Sequence, residues 1–185
     1  MLVGGNGAGK STFYRLYLQP LGLPFVNADL LAQIAYPDAP EEHSYDAAQL
    51  AEAQRQQLLF KGVSFCFETV YSHPSKVDFV AQAKALGYEV VMVLIHLEQP
   101  SLNQARISQR VQEGGHAVPA QKVISRIPRL MQYVRASLPL CDVFRAYDNS
   151  CVDQPFLPIF SVMSGRLERH CEPLPAWALD LSAVT

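Results

Sequence analysis

The sequence predicts an α/β protein built on a doubly wound parallel sheet, and three features carry that prediction. A glycine-rich phosphate-loop pattern opens the chain at residues 4–11. Strand-like and helix-like hydrophobic patterns then alternate as far as about residue 147. Among them, Val90 to Ile95 is a continuous apolar, largely β-branched run, the mark of a strand covered on both faces in a parallel sheet.

The elements follow in order. Met1, Leu2 and Val3 are the whole of the first strand, far short of the usual length. Gly4-Gly5-Asn6-Gly7-Ala8-Gly9-Lys10-Ser11 matches G-x-x-x-x-G-K-[ST], and Ser11-Thr12-Phe13-Tyr14-Arg15-Leu16 continues it as a helix that Pro20 and Gly22 end. Leu23 to Asp29 reads as a short second strand with a polar end, 41–60 as a helix, and Val63 to Thr69 as a third strand. A helix over Val77 to Leu86 stops at Gly87, and a fourth strand spans Tyr88 to Ile95. Helices over about 100–112 and 119–137 are joined through Gly114-Gly115, with Pro119 at the first turn of the second. Cys141 to Tyr147 is a fifth strand. Ile159 to Met163 and Arg166 to His170, joined by Ser164-Gly165, form an antiparallel hairpin. Pro173 and Pro175 predict an irregular tail packed down by Trp177.

Composition narrows the class. With 185 residues and 49% hydrophobic content, the chain has enough apolar surface for a single domain over 1–185, and disorder is excluded. In that domain, about 100–137 forms a helical lid and about 155–185 an edge hairpin and tail. A net charge of −2 lacks the basic excess of a nucleic-acid binder. No stretch approaches the ~20 apolar residues of a membrane span, and the start lacks the regions of a signal peptide. Cys66, Cys141, Cys151 and Cys171 are widely spaced, which argues against zinc and redox pairs and predicts reduced thiols in the cytoplasm.

The loop's residue types serve phosphate chemistry. Its glycines let backbone N–H groups converge on phosphate oxygens. Lys10 supplies a charge for the β- and γ-phosphates of ATP, and the Ser11 hydroxyl can ligate Mg²⁺. The following helix offers its positive end. Ligands of open α/β sheets bind beyond the carboxyl ends of strands, where Asp29 and Glu68 are expected. Asp29 could orient an attacking hydroxyl or simply cap a helix. Glu68 could reach magnesium through water, bind substrate, or cap the sheet edge. Arg106 and Arg110 share one helix face, and Arg126 and Arg129 another. Across a glycine joint they suit a lid closing over phosphates, or else a solvated helical hairpin paired with acids such as Glu113. Asp148-Asn149 would pass an adenine or ribose edge, or make an ordinary turn.

Taken together, the phosphate loop at 4–12, Asn27-Ala28-Asp29, Phe67-Glu68-Thr69, Arg110 with Gly114-Gly115-His116 and Val118-Pro119, Arg126 with Pro128-Arg129, and Tyr147-Asp148-Asn149-Ser150 resemble a known family. The chain resembles the zeta-toxin-like P-loop kinases, especially a compact bacterial branch often labelled predicted ATPase, over roughly residues 1–150. The resemblance implies a P-loop kinase-like sheet in the order 2-3-1-4-5, and ATP-dependent phosphorylation of UDP-N-acetylglucosamine on a sugar hydroxyl. It also implies a small antitoxin protein that blocks the ATP site. Carried over by motif, Gly4 to Thr12 would hold ATP and Asp29 would activate the hydroxyl. Glu68 would stand by substrate and magnesium, and Thr69 would contact substrate. Lys10, Arg110 and Arg126 would stabilise the transferred group. The chain departs from the family in its nearly missing first strand and its shorter length.

A reading from another class is an ATP-hydrolysing or ATP-binding regulatory module with no small-molecule acceptor. Val63 to Glu68 resembles a Walker B strand, whereas an N-K-x-D guanine motif is missing. Dependence of ATP turnover on an acceptor separates the two readings.

Overall fold

The structure, a computed structural model, describes residues 1–112 and 118–183 without the Arg110 side chain. In chain order its elements are β1 (Leu2–Val3), α1 (Lys10–Phe13), β2 (Phe25–Val26), α2 (Ala28–Ala35), α3 (Ser44–Phe60), β3 (Cys66–Thr69), α4 (Ser75–Ala85) and β4 (Val91–His96). Then come α5 (Pro100–Gln112), α6 (Ala120–Ser137), β5 (Val143–Asp148), β6 (Leu157–Met163), β7 (Arg166–Arg169) and α7 (Ala176–Ser182). The α/β class is the one the sequence predicts. Two compact units result, Met1–Lys10 with Val70–Thr185, and Ser11–Thr69.

In the larger unit, β1, β4 and β5 run parallel, and the β6–β7 hairpin continues the sheet antiparallel. Two-residue β1 survives because both its side chains are fully buried and the chain start is pinned at both ends. The terminal ammonium donates to the Val91 carbonyl at 2.6 Å, and Val93 N donates to Met1 O at 2.9 Å. Met92 to His96 are buried without interruption, as a covered parallel strand requires, while Val91 at its start is exposed. Phe144 and Phe160 meet on the buried face with ring centres 5.4 Å apart. Asp142 accepts from Lys84 Nζ and from Val90 N, each at 2.7 Å, tying the end of α4 to the starts of β4 and β5.

In the smaller unit, β2 and β3 pair in parallel, with Phe25 opposite Cys66 and Val26 opposite Phe67. Helix α3 buries Ala47, Ala51, Arg55 and Leu59, a stripe at four-residue spacing. Arg55 interrupts that apolar stripe. Its guanidinium pairs with Glu52 and lies over the Phe67 ring at 5.2 Å. Tyr14 stacks on Phe25, which fixes the segment after α1 against β2.

Both stretches of the expected strand order, 2-3 and 1-4-5, are present within the units. Some boundaries differ. The tail is not irregular throughout: after Pro175, which suits a helix start, Ala178 and Leu181 give α7 a buried face. Trp177 does pack, donating its Nε1–H to Asp148 at 3.3 Å beside the His96 ring. Asp29 is not on a strand, because β2 ends at Val26 and Asn27 already begins the cap of α2. No helix among the described residues is long and apolar enough to cross a membrane. The four cysteines are unpaired thiols.

Candidate active site

The phosphate loop belongs to the larger unit as far as Lys10. Gly9 adopts φ +98°, a conformation that L side chains rarely reach, and a Cβ there would collide with the Asn149 side chain. Lys10 is buried, and its Nζ donates to the Gly5 carbonyl at 3.0 Å. Ala8 N also donates to Gly5 O, at 3.2 Å, so the loop closes on itself.

Three elements grip the loop. From α5, Asn103 Nδ2 donates to Asn6 O at 2.7 Å. From the end of β5, Asn149 Nδ2 donates to Ala8 O at 2.9 Å. From α6, Arg126 Nη1 donates to the Asn6 side-chain oxygen at 3.3 Å. Partial burial, and after it the charge of Arg129, hold the Arg126 guanidinium below its ordinary pKa. It remains a cation at neutral pH.

The smaller unit holds a second group of candidate residues. Ser11 Oγ donates to the Glu68 carboxylate at 3.1 Å, and Asn27 Nδ2 donates to the same oxygen, Oε2, at 3.1 Å. Asn27 is buried and also accepts from Leu30 N at 3.1 Å, so one side chain both caps α2 and aims Glu68. Asp29 is exposed in the first turn of α2, where a carboxylate is favoured by the helix dipole. Thr69 is half-buried at the end of β3, and Thr12 is exposed in α1. Burial raises the Cys66 thiol above its ordinary pKa, which keeps it protonated and unreactive beside Glu68.

Ser11 and Glu68 fit magnesium. Both offer hard oxygens, and adjacent oxygens around an octahedral Mg²⁺ with bonds of 2.0–2.1 Å stand about 2.9 Å apart. Their 3.1 Å separation is close to that. Among the described residues no cluster of three or more His, Cys, Asp or Glu could hold a metal by protein groups alone. A site with few protein ligands is what Mg²⁺ uses when phosphates supply the rest.

Of the four candidate lid arginines, Arg126 reaches the loop and Arg106 does so through Asn149, whose carbonyl it meets at 2.7 Å. Arg129 turns back onto its own helix, donating to Ser125 O at 3.1 Å. The Arg110 side chain and the joint at Gly114, Gly115 and His116 lie outside the described residues. Sequence reasoning missed Asn103, for which no pattern signals a role; Asn6 was visible as part of the loop, but the hold of Asn103 and Arg126 on it was not. That reasoning left Asn149 between a nucleotide edge and an ordinary turn; in the structure its amide grips the loop. Asn27 was visible as part of Asn27-Ala28-Asp29, but its hold on Glu68 was not.

A phosphate loop after β1, opening a helix, in an α/β fold with parallel strands β1, β4 and β5, defines a P-loop kinase-like protein. The Zeta toxin family model matches residues 1–150, and the chain belongs to the Zeta toxin family. An uncharacterized protein of Haemophilus influenzae is 30% identical over 115 residues, 62% of this chain and 81% of that one. Among solved structures, the fold is similar to a chain from the PezAT chromosomal toxin–antitoxin system of Streptococcus pneumoniae (TM-score 0.59, 23% identity, 82% of this chain and 69% of the other). It is also similar to the AvrRxo1-ORF1:AvrRxo1-ORF2 complex with ATP (TM-score 0.63, 16% identity, 91% of this chain and 60% of the other).

Proposed function

We propose that this chain is an ATP-dependent kinase that passes the γ-phosphoryl group of MgATP to a hydroxyl of a small acceptor, with UDP-N-acetylglucosamine the acceptor to test first. The observation that carries the reading is the Ser11–Glu68 pair at 3.1 Å, aimed by Asn27 and continuous in sequence with the phosphate loop.

In this reading the loop N–H groups and Lys10 bind the phosphates. Ser11 and Glu68 would hold Mg²⁺, which when bound neutralises charge on the β- and γ-oxygens. Asp29 takes the proton from the attacking hydroxyl, a contribution of about 10²–10⁴ in rate for a positioned base. Thr69, beside Glu68 on β3, contacts the acceptor. Arg126 and Arg110 stabilise charge on the group in flight. Family membership and the likeness to a toxin–antitoxin protein support an antitoxin as protein partner, and the unpaired thiols support a cytoplasmic setting.

The test is mass spectrometry of the chain with MgATP and UDP-N-acetylglucosamine, with Asp29→Asn as control. The expected result is a sugar nucleotide one phosphate heavier, absent with the variant. Bound ATP without product discards this acceptor. ATP turnover indifferent to every acceptor overturns the kinase reading in favour of a hydrolysing module.

A further inference from the structure

We propose that Asn103 and Asn149 are positioning residues for nucleotide binding, two buried amides that set the direction of the phosphate loop's N–H groups by gripping its carbonyls. The inference rests on the reading of residues 4–11 as the ATP phosphate site.

The argument begins with peptide geometry. In a trans peptide the C=O and the following N–H lie in one plane and point in opposite directions. Asn103 Nδ2 holds Asn6 O at 2.7 Å, so the N–H of Gly7 is turned away from α5. Asn149 Nδ2 holds Ala8 O at 2.9 Å, so the N–H of Gly9 is turned away from the end of β5. Both gripped peptides therefore lead into glycines, the residues whose peptides rotate most freely. Glycine permits the loop's conformation, and the amides select it.

Each amide is itself anchored. Asn149 donates its backbone N–H to His96 O at 2.9 Å, accepts Phe156 N on Oδ1 at 3.2 Å, and accepts Arg106 on its carbonyl at 2.7 Å. Asn103 is 2% exposed on α5, and its Oδ1 is buried with no hydrogen-bond partner among the described residues. An unpaired buried acceptor is costly, and a leucine of similar size would avoid it. The donor half of this amide is thus the part in use.

Asn103→Asp and Asn149→Asp keep shape and replace donor by acceptor. ATP affinity by isothermal titration, with melting temperature recorded alongside, reads the effect. Near pH 8 each carboxylate should repel its carbonyl and weaken ATP binding about tenfold or more relative to wild type. Lowering the pH toward 5.5 should narrow that ratio, because a protonated carboxyl can donate as the amide did. Asn103→Leu and Asn149→Leu should bind weakly at every pH, and they carry the test if an aspartate variant fails to fold. Folded variants that bind ATP within about twofold of wild type, or a leucine variant regaining affinity at low pH, would overturn the inference. Failure of wild type itself to bind ATP would instead overturn the phosphate-site reading beneath it.

Discussion

Asn27 and Glu68 are joined by a 3.1 Å hydrogen bond, and the asparagine that makes it also caps α2 through Leu30 N. One side chain therefore serves stability with its oxygen and site geometry with its nitrogen. Asn27→Asp should separate the two. Aspartate is an equally good cap, so the melting temperature should hold, while repulsion between carboxylates turns Glu68 away. Asn27→Ala should lose both, at about 1 kcal/mol for the cap. Thermal melts and Mg²⁺-dependent turnover, measured on both variants, check this.

Arg126 meets the loop through Asn6 and is a cation. In the proposed mechanism Arg126→Ala should lower turnover on the order of 10³-fold, by analogy with arginine fingers, with little change in ATP affinity. Steady-state kinetics with a binding titration would show it. Unchanged turnover would remove Arg126 from the mechanism.

Gly9→Ala should abolish nucleotide binding while leaving secondary structure intact. The alanine would need φ +98° and would meet the Asn149 amide, so the loop must deform around it. Circular dichroism and an ATP titration, run side by side, decide the matter.

His96 is buried, and that burial lowers its pKa from about 6.5 to about 4, against the opposing pull of Asp148. The unfolded chain takes up this proton at higher pH than the folded one does. The stabilising contribution is therefore present above about pH 6.5 and is lost as pH falls toward 4. Urea midpoints should decline across that window, and His96→Gln should flatten the decline. An equally steep decline in the variant would assign the acid sensitivity to other groups.

The fold class was legible because hydrophobic period and glycine placement are local. Val90 to Ile95 reads as a covered strand, which the structure places at Val91–His96 with Val91 exposed, and Pro119 stands where α6 begins. The tail was misread because Pro173 and Pro175 suggest irregular chain, whereas the buried face that makes α7 a helix exists only once Ala178 and Leu181 have something to pack on. Asp29 was placed at a strand end because nothing in a short apolar run marks where pairing stops.

For the site, the sequence by itself supplied the proposed chemistry. The glycine spacing and Lys10-Ser11 match the phosphate-loop pattern, and Glu68 is the acid proposed for its metal side. Tertiary structure alone decided who holds them in place. Asn103, 97 residues beyond the Asn6 carbonyl it grips, carries no motif, and Asn149, 141 beyond Ala8, lies in a motif that does not name Ala8 as its partner. An amide's role is set by the carbonyl that the fold brings to it, and that pairing across the chain leaves no trace in local pattern.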